Sequence, residues 1–564
     1  MSRLKRLADA LDERLGWRAA ARATLHRPLR PSIAYSLGAA LLFALVLQVV
    51  TGITLAAHFA PTTTDAWGSV WAIEHQVVMG SYVRGLHHFG ASAVVVMCVL
   101  HMIQVVAFGA YKRPREGNWL IGILMLGLVL ALALTGYLLP WDQHGYWSTQ
   151  VATGIMGEVP LGGLVQTMLV GGGELGTTTL TRFYALHTLV LPVLLGGLVL
   201  LHLALWIKHG PRPRPHRPDA VVVGTARPLW PYQVVRDLVV AIVLFGVLTA
   251  LALTVGATLE APADPASDFQ ARPMWYFRFL YQLLKLFEGP LVIVGTTILP
   301  ALVGLYLVAV PWLDRKSPTS EGPSRRVWIP LALVLVTVIG LTAWSYIADA
   351  NDEAFQQAQV EAAADARRAK ELAASGGIDG AGRVVLFEGH RLYEEKGCAS
   401  CHDDPEEAAP RLAGWGTLER FHAFLSDPDA PRFFAGTPFE EGMPKTKLAL
   451  AQAEALLAYL RDPPSSEAGR RTFLDEDCSS CHNLPTADPR TKAWDPRIEG
   501  PDLLGYATYE WTRGLIRDAS HPAYFGDAYA PADADRVMPA YPDLGPDELD
   551  LLVRWLQAGA PGAR

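Results

Sequence analysis

Seven apolar stretches in the first 350 residues of this 564-residue chain are each long enough to cross a bilayer: about 33–57, 83–110, 119–140, 183–207, 238–259, 290–313 and 327–347. A backbone inside lipid must satisfy its polar groups within its own segment, so these stretches fold as helices and the chain reads as an all-α membrane protein. The first stretch is unbroken from Ile33 to Ala57, too long for a cleavable signal, and residues 1–32 form a basic, amphipathic lead-in. Arg3, Lys5, Arg6 and Arg18 precede it, and Lys112, Arg113 and Arg115 follow the second stretch. Lys208, Arg212, Arg214 and Arg217 follow the fourth, and Arg315, Lys316, Arg325 and Arg326 the sixth. The alternate loops carry Asp65, Glu74, Glu158, Asp264 and Asp268. The positive-inside rule then sets the N-terminus in the cytoplasm, and seven crossings deliver the C-terminal third to the other side.

Two of the stretches carry paired histidines. His87 and His101 are 14 residues apart, and His187 and His202 are 15 apart. That is about four helical turns, so each pair falls near one face of its helix at two depths roughly 21 Å apart. Ionisable residues at membrane depth are costly and mark function, and imidazole is a standard axial ligand of haem iron. Two such helices side by side specify two bis-histidine b-haem sites, one above the other. His87 and His187 lie toward the outer face, His101 and His202 toward the inner. Satisfied core histidines would explain one such residue; they do not explain two matched pairs.

The composition changes near residue 350. Residues 352–373, rich in Ala, Glu and Arg, predict a helical stalk, and Gly376, Gly377, Gly380 and Gly382 a hinge within 351–380. From 381 onward 31 Asp and Glu stand against 19 Lys and Arg, so the exported region is acidic. Four of the five cysteines fall in Cys398-Ala-Ser-Cys401-His402 and Cys478-Ser-Ser-Cys481-His482. Cys-x-x-Cys-His is the attachment signature of c-type haem: two thiols bond the porphyrin and the adjacent histidine ligates iron. A redox disulfide or half a zinc site would need neither the immediate histidine nor the duplication. Cys98 sits inside an apolar span as a plain buried thiol.

A sixth iron ligand is expected downstream of each motif. Beyond Met274 the chain has only Met443 and Met538, 41 and 56 residues past His402 and His482, each followed by Pro and then by an expected helix (448–461 and 545–557). A thioether ligand raises the potential of a haem iron. His390, His422 and His521 are the rival ligands. Residues 381–462 and 463–564 thus read as an internal repeat, two small α-helical domains in tandem.

The membrane part resembles the cytochrome b subunit of quinol:cytochrome c oxidoreductases. The matching text is Arg84-Gly-Leu-His87-His-Phe-Gly90-Ala-Ser92, Lys112-Arg-Pro-Arg-Glu116, Thr135-Gly-Tyr-Leu-Leu-Pro-Trp-Asp-Gln-His-Gly-Tyr-Trp147 and Thr181-Arg-Phe-Tyr-Ala-Leu-His187. The 15-residue second spacing and the seven spans are similar to the chloroplast-type bf lineage, with a four-helix dihaem domain over 33–220 and a fused three-helix domain over 221–350. The C-terminal third is similar to tandem class I cytochromes c, and the whole resembles a bacterial b–c fusion of the inner membrane.

The resemblance implies axial pairing of His87 with His187 and of His101 with His202. It also implies that Gly38, Gly52, Gly90 and Gly136 let porphyrin approach the helices, and that Arg84 and Arg115 meet haem propionates. An outer quinol pocket would lie around Gly145, Tyr146, Trp147 and the tetrad Pro273-Met274-Trp275-Tyr276. An inner quinone pocket would use Lys208, His209, Arg236 and Asp237. The chain departs from the pattern twice. Met274 stands where the family has a glutamate that takes a proton from quinol, which leaves Asp268, Glu288, Arg272 through water or Tyr276 as replacements. Ser36 stands where the bf lineage has a cysteine holding an extra haem.

The leading expectation is therefore the enzyme core of a quinol–cytochrome c oxidoreductase with two b and two c haems. Quinol would be oxidised at the periplasmic side, one electron crossing to an inner quinone and the other reaching the c haems through a separate Rieske iron–sulfur subunit. A dimeric complex, the quinone pool, membrane lipid and a periplasmic cytochrome c or other acceptor are the implied partners, and nucleic acid is not. The alternatives are a non-bifurcating electron conduit, which Met274 favours, and a redox-sensing scaffold, for which the chain shows no signalling domain.

Overall fold

The computed structural model describes residues 9–10, 12–14, 17–26, 28–29, 31–172, 174–212, 227–265, 267, 269–315, 322–376, 385–404, 407, 409–437, 440–482, 500–521, 523–524 and 538–563. All seven expected crossings are helical: α1 (Ser36–Ala56), α2 (Gly80–Ala107), α3 (Glu116–Tyr137), α4 (Leu191–His209), α5 (Leu229–Thr254), α6 (Leu299–Leu313) and α7 (Arg325–Ala350). The stalk is α8 (Glu353–Gly376). Among the described residues the only sheet is a two-residue pairing of Pro28–Leu29 with Arg227–Pro228.

α5 starts at Leu229 rather than at 238. Arg236 and Asp237 end the apolar run in the sequence, yet they ride on the first turns of the helix, where the Gln233 amide donates to Asp237 Oδ1 at 2.7 Å. A π turn at Leu186–Val190 joins Thr177–Ala185 to α4. It places its wider ring just ahead of Pro192, whose missing N–H and bulky ring would clash with an ordinary helical turn.

The chain forms two compact units, Met1–Arg367 and Arg368–Arg564. In the first, α1 packs on α2 and α5, and α3 packs on α4. Ala44, Val94, Val95, Val129 and Leu195 form a buried seam between these helices. Large apolar side chains stay exposed along the outward faces, Ile53, Leu200 and Val336 among them, as lipid contact requires. At the end carrying the N-terminus, Lys112 and Asp314 form a buried ion pair at 3.1 Å, and the Tyr111 hydroxyl donates to the same carboxylate at 2.6 Å. At the opposite end Asp349, at the foot of α7, holds both Arg272, at 2.9 Å, and Arg278.

The second unit carries α9 (Val385–Glu395), α10 (Leu418–Ser426), α11 (Leu450–Arg461), α12 (Glu467–Asp475), α13 (Tyr509–Arg517) and α14 (Pro546–Gln557). Contiguous halves at 381–462 and 463–564 are not what packs. α9, before the first Cys-x-x-Cys-His motif, crosses α14 at the chain's end; α12, before the second motif, crosses α11, which precedes it. Glycine makes both crossings close. A Cβ on Gly389 would lie 2.3 Å from Trp555 Cβ, and one on Gly469 would lie 2.0 Å from the Ala455 carbonyl oxygen.

Candidate functional site

Four membrane histidines meet in two pairs. The rings of His87 and His187 have centroids 6.3 Å apart at 75°, and those of His101 and His202 are 6.4 Å apart at 70°. With metal–imidazole bonds of about 2 Å, two imidazoles facing one iron stand roughly 6 Å apart, so each gap fits one iron between opposed nitrogens. The equal fit is possible because the π turn contains His187. A π turn takes up one extra residue, so 15 residues along the fourth crossing cover the depth that 14 cover along α2.

The ring nitrogen away from each gap is held. His87 Nδ1 lies 2.9 Å from Thr51 Oγ1, and His101 Nδ1 lies 3.0 Å from Gln104 Oε1. His187 Nδ1 lies 3.0 Å from the Leu132 carbonyl and 3.2 Å from Thr135 Oγ1. Such contacts fix ring orientation and leave Nε2 for a metal.

Glycines back three of the rings closely. A Cβ on Gly38 would sit 3.1 Å from His101 Cε1, one on Gly52 3.2 Å from His87 Cε1, and one on Gly136 2.6 Å from His187 Cε1. The fourth is Gly122, 3.9 Å from His202 Cε1, which the sequence reading missed in favour of Gly90. Gly90 instead makes room for the Gln48 amide, 2.1 Å from where its Cβ would be. The missed signal is a spacing: Gly38 and Gly52, like Gly122 and Gly136, stand 14 residues apart, echoing His87 and His101. Arg84, expected at a propionate, is committed to Glu74 and to the carbonyls of Ala257 and Thr258. Arg115 donates to the carbonyls of His209 and Gly210.

At the end opposite the N-terminus, two distant segments are laced together. Gln143 N–H donates to the Ala261 carbonyl at 2.8 Å and Ala263 N–H to the Trp141 carbonyl at 2.9 Å, while Asp142 caps Gly145 N–H at 2.8 Å. This lacing brings Tyr146 and Trp147 to the segment leading into 273–276. Trp147 Nε1 donates to Gln143 Oε1 and Ser267 Oγ, and Trp275 Nε1 to Ser92 Oγ at 3.3 Å. Pro273 is half-buried, Met274 packs with Tyr276 into the apolar seam, and Glu288 is exposed. Burial pushes the Tyr276 phenol up to about 12. Asp268 lies outside the described residues. His144 was not singled out in the sequence: its Nε2 lies 2.7 Å from the carbonyl of Arg272, the residue before the tetrad, and its ring stacks on Tyr137.

At the other end Ser36 is fully buried and accepts from the Gln233 amide at 3.1 Å, the same amide that reaches Asp237. Lys208 and Arg236 are exposed, and Arg236 donates to the Tyr232 carbonyl. The structure thus gathers Asp237 with Ser36 and Gln233 rather than with Lys208.

In the second unit, His402 Nδ1 lies 2.6 Å from the Pro410 carbonyl and His482 Nδ1 3.0 Å from the Pro501 carbonyl. Burial holds both imidazoles below their ordinary range, so each is the neutral ligand form with Nε2 free for a metal. Cys398 and Cys478 are half-buried, Cys401 and Cys481 exposed, and all four are free thiols. This donor set fits covalent haem.

Residues 92–276 match the family model described as cytochrome b(N-terminal)/b6/petB, and residues 262–362 match cytochrome b(C-terminal)/b6/petD. The chain is 39% identical over 218 residues to the menaquinol:cytochrome c reductase cytochrome b subunit of Bacillus subtilis, covering 37% of this chain and 97% of that protein. It is 33% identical over 343 residues to cytochrome b of Cereibacter sphaeroides, covering 54% and 75%. A solved hyperthermophilic respiratory Complex III chain is similar with a TM-score of 0.52 and 25% identity, over 62% of this chain and 93% of that one. With its histidine pairs, its seven crossings and these matches, the chain belongs to the cytochrome b/b6 family.

Proposed function

We propose that this chain is the membrane core of a quinol-oxidising, cytochrome-reducing complex of the bacterial inner membrane, with its N-terminus in the cytoplasm and its C-terminal unit in the periplasm. The observation that carries the reading is the pair of imidazole gaps, 6.3 and 6.4 Å, stacked through one helix bundle. His87 with His187 and His101 with His202 would hold two b haems, and the two Cys-x-x-Cys-His motifs two c haems. When bound, these haems supply one-electron relays; the protein sets their position and surroundings. A Rieske iron–sulfur subunit, the quinone pool and a periplasmic acceptor are the partners, in a dimeric complex.

Quinol gives up two protons with its two electrons, so the pocket beside Trp147 and Trp275 needs a proton acceptor in hydrogen-bond reach or one water away. Tyr276, pushed up to about 12, stays protonated and takes no proton near neutral pH. Arg272 is a cation tied to Asp349. Glu288 is exposed, away from the buried tetrad side chains. His144, fixed against the Arg272 carbonyl, is the titratable group we assign to this role. At the cytoplasmic end, Ser36, Gln233 and Asp237 line the inner quinone site.

The test is quinol-driven reduction of the b haems in the purified complex with the inner site blocked. Wild type should reduce them. His144→Gln should slow the reduction on the order of 10²-fold, as loss of a general base does, with haem content unchanged. The linear conduit is the second reading, favoured because Met274 offers no carboxylate. It replaces the first if wild-type complex with its iron–sulfur partner shows no such reduction.

A further inference from the structure

Each haem-attachment motif packs with the methionine of the other motif's stretch of sequence. α9 leads into Cys398, and the cluster it builds with α14 holds Cys398, Ala399, Tyr541 and Met538. The Tyr541 hydroxyl and the Cys398 thiol are hydrogen-bonded, which ties the three residues after Met538 directly to the first motif. α12 leads into Cys478, and the cluster it builds with α11 holds Cys478, Leu503, Tyr506 and Met443.

The backbone follows the same division. Gly414 N–H donates to the Gly559 carbonyl at 2.8 Å, joining the segment after His402 to the chain's end. Gly505 N–H donates to the Leu460 carbonyl at 2.7 Å, joining the segment after His482 to α11. The seam falls near Gly416 and Ala507, where Arg461 reaches the Gly416 carbonyl and Gln557 the Ala507 carbonyl. One lobe is therefore built from two stretches, 385–416 and 507–563, and the other, 417–506, is inserted between them.

The rival histidines are engaged elsewhere. His390 packs its ring on Trp555 at 5.8 Å. His422 Nε2 lies 2.8 Å from the Leu448 carbonyl, and His521 Nδ1 accepts from Ala523 N–H at 3.2 Å.

We propose that the sixth ligands are exchanged: the haem on Cys398, Cys401 and His402 takes Met538, and the haem on Cys478, Cys481 and His482 takes Met443. This rests on the reading that both motifs carry haem. Each thioether then reaches its iron from the lobe it packs in, and the second haem lobe is an insertion within the first rather than its successor.

The experiment uses the full chain with one attachment site removed. Cys398→Ser with Cys401→Ser leaves a single c haem, on the second motif. In that background Met443→Ala should abolish the near-infrared sulfur-to-iron absorption and lower the midpoint potential, since a thioether ligand raises it, and Met538→Ala should leave both unchanged. Removing Cys478 and Cys481 instead should reverse the two results. Where a Met→Ala chain does not fold, Met→His reports the same assignment, because a true ligand position keeps the haem low-spin while losing the sulfur band. If Met443 proves necessary to the first-motif haem and Met538 to the second, or if neither methionine matters to either, the exchange is overturned. If wild-type chain carries no covalent haem on a denaturing gel, it is the haem reading that fails.

Discussion

An added methyl on Gly136 would lie 2.6 Å from His187 Cε1, well inside van der Waals contact, and that ring is clamped from behind by the Leu132 carbonyl and the Thr135 hydroxyl. It cannot retreat without leaving its hydrogen bonds. Gly122 backs His202 in the same way but at 3.9 Å, an ordinary contact. The two glycines share a role in the fold and differ in tolerance. Gly136→Ala should cost the chain the haem between His87 and His187, halving its b haem, whereas Gly122→Ala should keep both. Haem b per polypeptide, measured by pyridine haemochrome, checks this; equal content in the two variants would mean that ring clearance does not decide occupancy. Of this level of detail the sequence reveals the ligands and half the clearances. Gly90 misled because it sits beside His87 in a matching motif, while its own neighbour, Gln48, is a contact between helices that no local pattern records.

At the scale of elements, the fourth crossing shows how a helix absorbs a mismatch. His187 and His202 are one residue further apart than His87 and His101, which on a plain helix would rotate one ligand by about 100° away from its partner. The π turn at Leu186–Val190 takes up that residue. Deleting Leu189, inside the π turn, should leave an unbroken α-helix with both ligands still facing their partners. Both b haems should remain, at a stability cost of about 3 kcal/mol from Pro192 entering a normal turn. Deleting Leu198, outside the π turn, should rotate His202 off its axis and remove the haem it shares with His101. Optical spectra and thermal loss of haem distinguish these outcomes; retention of both haems in the second deletion would show that the helix has slack elsewhere. The seven crossings themselves were legible because a bilayer leaves a chain few options. The short helices of 143–170 and their lacing to 260–263 were not, because backbone hydrogen bonds between loops leave no residue pattern.

For the molecule as a whole, the sequence order of the C-terminal unit is a poor guide to its packing. Two Cys-x-x-Cys-His motifs, two methionines and two terminal helices read equally well as tandem or nested lobes, since the deciding contacts, Gly389 on Trp555 and Gly469 on Ala455, join helices by fit rather than by proximity. Haem stoichiometry does not depend on which arrangement holds, and so it tests the assembly separately. The membrane bundle presents two imidazole gaps and the second unit two motifs with four free thiols, so wild-type chain should yield b and c haem in a ratio near one. An additional covalent haem near the inner site, as in the bf lineage, would raise c over b to three against two. Ser36 argues against it on two grounds. A hydroxyl forms no thioether, and this hydroxyl is fully buried and accepts from Gln233, whose amide also holds Ser32 and Asp237. Replacing Cys398, Cys401, Cys478 and Cys481 by Ser in the full chain should therefore abolish all haem staining after denaturation while the b-haem spectrum persists. A stained band in that variant would place a covalent haem in the membrane bundle and remove Ser36 from the argument.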